Sequence, residues 1–125
     1  MSGITLDAGA LIALDRNDRR VVALIARAHE TGAKVVVPAG ALAQAIRKPE
    51  RQARLSRLVR QPDTTVVALD RVDAVRVGRL LAASETADVV DAHVVVCARR
   101  ARTAVITSDE GDIRVLDKDL PLVGL

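Results

Sequence analysis

Five aspartates in this chain are spaced so that they could share one task. Asp7 follows the apolar run Gly3-Ile4-Thr5-Leu6, and Asp109 follows Ala104-Val105-Ile106-Thr107-Ser108. Asp88 and Asp91 are three apart in a helix-like stretch, which puts them on one face, and Asp112 comes three residues after Asp109. Carboxylates gathered at one mouth repel: a pair 4 Å apart costs about 1 kcal/mol in water and several times more in a partly dry pocket. Such a group persists if it takes up protons or holds a hard divalent cation. No set of supporting residues suggests a protonated pair, so a cation is the simpler account. Ligands that are all oxygen favour Mg²⁺ or Mn²⁺. An ion of that kind acidifies a water for attack on a phosphodiester, and a second one about 3.5–4 Å away would also stabilise the leaving oxygen.

A plainer role competes with this one. An Asp after a strand is often only the N-cap of the next helix. Asp70 and Asp73 serve as an internal control, since they end a strand with the same spacing and read as a helix-start pair. Asp109 with Asp112 has that spacing too, so spacing alone leaves both roles open for them. Asp7 reads differently, because nothing at Gly9-Ala10-Leu11 suggests a reason to hold a charge there. Asp91 is an acid inside the otherwise apolar stretch Val89-Val90-Asp91-Ala92-His93-Val94.

Short apolar runs alternate with helical patterns along the chain. Strands are expected at Gly3–Leu6, Lys34–Val37 (stopped by Pro38), Thr64–Leu69, Ala104–Thr107 and Pro121–Leu125. Helices are expected at Ala8–Leu14, Asp18–Thr31, Ala41–Arg47, Arg51–Arg60, Asp70–Ala83, Asp88–Arg102 and Asp112–Leu116. In the helix begun by Asp70, the buried side is read as Val72, Val75, Val77, Leu80 and Leu81. Strands that are near-continuous apolar runs, alternating with helices, imply an α/β fold. Its central parallel sheet has about five strands, with helices on both faces. Ligands of such sheets bind beyond the carboxyl ends of the strands, at the topological switch point. Asp7 and Asp109 both end strands and would project at that edge.

At 125 residues the chain fits one domain, spanning 1–125. No stretch is apolar enough to cross a bilayer, and the opening residues lack the pattern of a signal peptide. The single cysteine, Cys97, excludes an internal disulfide and suits a reducing, cytoplasmic setting. Phe, Tyr and Trp are all absent, which removes the platforms on which RNA-binding modules usually stack bases. A nucleic-acid partner would have to be held through its phosphates. All but Lys34, Lys48 and Lys118 of the 19 basic residues are Arg, whose fork matches phosphate oxygens in pairs. His93 follows Asp91 by two and so faces away from the acids, as a structural polar residue. His29 reads as a solvated helix residue and Cys97 as a small core side chain.

Three segments together resemble the PIN domains of the VapC family. Leu6-Asp7-Ala8-Gly9-Ala10-Leu11-Ile12-Ala13-Leu14 is similar to the family's opening motif. Asp88-Val89-Val90-Asp91-Ala92-His93-Val94-Val95 resembles its central helix, and Thr107-Ser108-Asp109-Glu110-Gly111-Asp112-Ile113 its late Thr-Ser-Asp segment. They come in the family's order and cover essentially the whole chain. The resemblance implies a sheet in which the first and fourth strands are neighbours. It implies that Asp7 and Asp91 ligate Mg²⁺ or Mn²⁺, that Asp109 completes the site directly or through water, and that Asp88 and Asp112 are auxiliary acids, Asp88 also within reach of the metal. Ser108 could hydrogen-bond a carboxylate or a phosphate, or serve only the turn. The implied activity is that of a toxin endoribonuclease cutting single-stranded RNA to 5′-phosphate and 3′-hydroxyl ends. The implied assembly is a homodimer, inhibited by a small cognate antitoxin.

One position departs from that pattern. In Val37-Pro38-Ala39-Gly40-Ala41-Leu42-Ala43-Gln44-Ala45-Ile46-Arg47 the family usually has Glu where this chain has Gln44. Gln keeps an oxygen ligand but loses a charge and the ability to act as a base. A second reading therefore stands beside the nuclease: a degenerate domain that binds RNA or antitoxin without cutting. A third, a receiver-like phosphoacceptor, needs a late Lys beyond a strand, and Lys118 is poorly placed for it. The basic run Arg47, Lys48, Arg51, Arg54, Arg57 and Arg60 is either a solvated face or a phosphate-steering rim beside the acids.

Overall fold

Strands made of uninterrupted Val and Ile have no polar face to leave in water, so both sides must be covered. The fourth strand, β4 (Ala104–Thr107), shows this: all four of its residues are buried. It belongs to a five-stranded sheet with β1 (Gly3–Leu6), β2 (Lys34–Pro38), β3 (Thr64–Val67) and β5 (Leu122–Gly124). Every pairing is parallel and the order is β3-β2-β1-β4-β5. The computed structural model describes residues 3–125; Met1 and Ser2, where the signal-peptide reading begins, lie outside them.

The helices are α1 (Ala8–Asp15), α2 (Arg19–Glu30), α3 (Ala39–Ala45), α4 (Ala53–Val59), α5 (Arg71–Ser84), α6 (Val89–Ala101) and α7 (Glu110–Leu116), with a 3₁₀ turn at Pro49–Arg51. Helices α1, α2 and α4 pack as one group and α5, α6 and α7 as another, while α3 touches both α1 and α6. The chain is thus α/β with a fully parallel sheet, as its alternation of patterns implies. Without Phe, Tyr or Trp the apolar core is aliphatic, centred on Leu6, Leu11, Val35, Val95, Ile106 and Ile113.

Several boundaries moved: β3 stops at Val67 rather than Leu69, α4 spans Ala53–Val59 rather than Arg51–Arg60, α7 starts at Glu110 rather than Asp112, and β5 is Leu122–Gly124 rather than Pro121–Leu125. Pro38 ends β2 instead of stopping it short, and α3 starts directly after it at Ala39 rather than at Ala41. The buried side of α5 also differs from expectation. Asp73 and Val77 are its buried residues, and Leu80 and Leu81 are partly buried, a stripe at i, i+4, i+7 and i+8. Val72 and Val75 point outward and are about half exposed. An acid thus occupies a place in the apolar stripe, for a reason given below.

β1 leads to β2 and β3 on one side of the sheet, while β4 and β5 lie on the other. The switch point is therefore the crevice beyond the carboxyl ends of β1 and β4. Leu6 pairs with Ile106, and the Asp7 amide donates to the Ile106 carbonyl at 3.3 Å. The turn after β1 is pressed against the turn after β4: a Cβ on Gly9 would collide with Ser108 Oγ and come within 3.1 Å of its Cβ. Only glycine admits that approach.

Candidate functional site

Asp7, Asp88 and Asp109 each stand immediately before a helix and cap it. The Ala10 amide donates to Asp7 Oδ1 at 2.8 Å and the Asp91 amide to Asp88 Oδ1 at 2.9 Å. The Asp112 amide donates to Asp109 Oδ1 at 3.4 Å. Capping therefore does not exclude a chemical role: the cap engages Oδ1 of each carboxylate and fixes its rotamer against a helix N-terminus. Asp7 corrects the expectation from sequence: it does have a structural reason to be charged, since it caps α1.

The five acids form one electrostatic group of graded depth. Asp7 is 4 % exposed, Asp91 is half-buried, and Asp88, Asp109 and Asp112 are exposed. Burial raises the Asp7 carboxyl above its ordinary value, and the nearby Asp109 charge adds to the rise. The Thr107 side chain and the Ala10 and Gly9 amides pull it back. Burial pushes Asp91 up to about 7, with the charges of Asp88, Asp7 and Asp112 contributing. Asp112 is raised chiefly by Asp109. These cross-influences link all five residues named from sequence. Asp88, Asp91 and Asp112 line a hollow of about 190 Å³ together with Thr86, Val115 and Leu116. Among the described residues, however, no three of the acids bring an oxygen each within 4.8 Å of one another; the mouth is open.

The sign of the Asp91 shift can be checked by heating. A carboxyl raised in the folded state binds its proton more tightly there than in the unfolded chain. Stability in EDTA therefore falls as pH rises from about 4 through about 7, and the loss is complete above that. Asp91 is only half-buried, so solvent screening holds the effect to the order of 1 kcal/mol, about 3 °C in Tm for a chain of this size. We expect Asp91→Asn to have the higher Tm at pH 8 and a flatter profile. An Asp91→Asn profile parallel to that of wild type would show that the acids do not crowd Asp91.

The other residues singled out from sequence are placed as follows. Ser108 is exposed and abuts Gly9. Its neighbour Thr107, which spacing did not mark, is fully buried. Its Oγ1 accepts from the Asp109 amide at 2.8 Å, and its side chain also reaches Asp7, so one hydroxyl ties the two strand-end acids together. Gln44 is exposed on α3, one turn beyond Gly40, and Gly40 faces Val90 of α6. Residues four apart share a helix face, so Gln44 lies on the side of α3 turned toward the acid-bearing helix.

Of the basic run, Arg54 is the member whose contact places it away from the acids. Arg47 and Arg51 are exposed, and Arg47 donates to the Ile46 carbonyl. Arg54 donates to the Asp15 carbonyl at 3.4 Å. Asp15 ends α1 eight residues from Asp7, about 12 Å along the axis, so Arg54 stands at the helix end remote from the mouth. His29 is only partly solvated: the residue is half-buried, and its Nε2 is buried with no hydrogen-bond partner among the described residues.

Sequence reasoning treated Asp73 as a cap, and the structure corrects this. Asp70 caps α5, whereas the Asp73 carboxylate is 1 % exposed and bound from two sides. Arg100 grips it through both guanidinium nitrogens at 2.6 and 2.8 Å, and His93 Nε2 lies 2.8 Å from Oδ2. Because a carboxylate only accepts, Nε2 carries the proton. Arg100 holds the Asp73 carboxyl well below the usual range. Cys97 completes a group whose polar atoms lie within 4.8 Å, the spacing a metal ion needs. Yet Asp73 is already occupied by a guanidinium, and burial pushes the Cys97 thiol up to about 11, so it stays protonated. The group works as an ion-pair lock between α5 and α6. The available signal was Asp73 standing four residues before Val77 in the buried stripe.

A family model described as the PIN domain matches residues 4–118. No curated protein matches the chain in sequence. Among solved structures it is similar in fold to FitAB bound to an IR36 DNA fragment, at TM-score 0.66 and 15 % identity, covering 97 % of this chain and 94 % of that one. FitAcB from Neisseria gonorrhoeae gives 0.67 at 16 % identity, covering 97 % and 96 %. VapBC2 from Rickettsia felis, bound to a promoter DNA fragment, gives 0.67 at 9 % identity, covering 98 % of each chain.

Proposed function

The chain belongs to the PIN-domain family, whose members are generally nucleases, and on that premise we propose that it is a metal-dependent endoribonuclease, the toxin of a toxin–antitoxin pair. The observation that carries this reading is the group of five aspartates at the switch point, three of them with raised carboxyls: Asp7 and Asp91 chiefly through burial, Asp112 chiefly through Asp109, with acidic neighbours adding to each rise. Like charges placed so close, with no cationic side chain among the partners found for them, call for a cation. The donor set is all oxygen, which fits Mg²⁺ or Mn²⁺. Asp7, Asp91 and Asp109 would hold it, with Asp88 and Asp112 as auxiliaries. When bound, such an ion supplies an acidified water and neutralises charge on a phosphodiester.

The chain's own residues do the rest. The helix caps pin Asp7, Asp88 and Asp109 in fixed rotamers. Thr107 joins the Asp7 and Asp109 turns, and Gly9 lets Ser108 pack against the turn after β1, where its hydroxyl would be offered to a phosphate. Single-stranded RNA is the substrate proposed. A small antitoxin and a second copy of the chain are the partners, and Mg²⁺ or Mn²⁺ is the cofactor. The exposed apolar side chains Val66 on β3, Val72 and Val75 on α5, and Leu69 between the two elements, support a partner surface. No described helix is long and apolar enough to cross a membrane, and a cytoplasmic setting is part of the proposal. Incubating the protein with end-labelled single-stranded RNA tests it: cutting in Mn²⁺ or Mg²⁺ and none in EDTA is expected, with 5′-phosphate products. Intact RNA in both ions would overturn it.

Gln44 favours a second reading, a domain that binds without cutting, because it removes a charge from the α3 face turned toward the acids. Gln44→Glu separates the two. If the site is short of charge, the variant binds Mn²⁺ about tenfold more tightly by calorimetry, within the range that metal-site changes of this kind produce. If wild type already binds as well as the variant, the missing Glu does not disable the site.

A further inference from the structure

The five aspartates at the mouth repel the polyanion proposed to be cut there, and the chain has no Phe, Tyr or Trp on which a base could stack. A substrate must therefore be gripped through phosphates somewhere else. A hollow of about 720 Å³ between α5, α6 and α7 has four arginines in its walls and no acid. Two of them are committed: Arg100 to Asp73, and Arg99 to Asp117 at 2.7 Å. Arg76 and Arg79 have no ion-pair partner among the described residues and are exposed. They are three apart on α5, so they project from one face. Leu116 lines both this hollow and the acidic one, so the two adjoin. Along α6, Asp91 and Arg99 are eight residues apart, about 12 Å, a few nucleotides of extended strand.

We infer that this hollow is the track for the backbone of a single-stranded RNA entering or leaving the acidic mouth, with Arg76 and Arg79 each taking a phosphate. The inference rests on the nuclease reading for what happens at the mouth, but the grip itself does not depend on cutting. Two free guanidinium forks match phosphate oxygens in pairs. Continuity with the acids is what favours RNA over an acidic peptide. Arg54, marked from sequence, has no such continuity, since it reaches the Asp15 end of α1.

Anisotropy of a fluorescently labelled single-stranded RNA in EDTA, over a series of salt concentrations, reads the grip. Arg76→Gln with Arg79→Gln is expected to weaken binding roughly tenfold and to lower the slope of log K against log salt by about 1.4, two phosphate contacts on a single strand. In Mn²⁺ the same pair raises KM and spares kcat. Arg19→Gln with Arg27→Gln on α2 removes equal charge and should change neither. An unchanged slope, equal losses in both pairs, or no RNA binding by wild type overturns the track. So does a double variant that loses binding to a polyglutamate peptide but keeps RNA, which would make the occupant a protein segment. Slope loss in a protein that cuts nothing leaves the track standing and sinks the nuclease. Cutting with an unchanged slope does the reverse.

Discussion

Asp7→Asn should abolish divalent-dependent cleavage of single-stranded RNA while leaving the protein folded. The chemical half follows from depth: Asp7 is the most buried of the five acids, and Asn lacks the charge that draws a cation. Loss of a partner behind a metal ligand costs 10–100-fold, so loss of a ligand itself should cost at least about 100-fold in cleavage rate. The structural half follows from the cap. The Ala10 amide donates to Asp7 Oδ1, and Asn caps helices about as well as Asp. The Asn also escapes burying a charge whose carboxyl is raised, so Tm in EDTA should hold or rise. Single-turnover cleavage and circular dichroism on one preparation test both halves. Cleavage at wild-type rate would refute a catalytic Asp7, and a collapsed circular dichroism signal would refute the cap.

Asp73→Ala should produce the largest loss of stability. Asp73 is bound by Arg100 and His93 at 1 % exposure. Removing it strands a buried imidazole, whose Nδ1 already lacks a partner, beside an unpaired guanidinium. Breaking a buried pair from one side costs about 3–5 kcal/mol, which for a chain of this size lowers Tm by more than about 10 °C. Arg100→Ala should cost less, because Arg100 is 43 % exposed and leaves Asp73 still bonded to His93. A calorimetric scan showing Asp73→Ala within a few degrees of wild type would show that the lock contributes little. Equal losses for the two variants would place its strength in the ion pair alone.

Much of the fold could be read from residues. Period-two signals were weak, yet runs such as Val35-Val36-Val37 and Ala104-Val105-Ile106-Thr107 are buried on both faces and could only be interior parallel strands. The strand-end acids were visible for the same reason, since a charge closing an apolar run stands out. What stayed hidden depends on partners distant in sequence. Asp73 looked like a cap because Arg100 is 27 residues away and His93 is 20. Thr107 looked like a strand residue because its hydroxyl meets two acids from different turns. Asp7 looked uncapped because the expected amide lies three residues on, among side chains with no polar group. The arginine run after Gln44 drew attention by density, whereas Arg76 and Arg79 are set off by lacking acids nearby, which linear distance does not record.

The double duty of the capping aspartates has an evolutionary side. Where a carboxylate serves only chemistry, selection alone holds it, and where it serves only a helix, many residues can replace it. At Asp7, Asp88 and Asp109 an amide oxygen would meet the helical requirement as well as the acid does. Drift to asparagine is therefore nearly free in foldedness and abrupt in activity. Under the proposed nuclease reading, silent relatives should be well folded proteins that keep their partners.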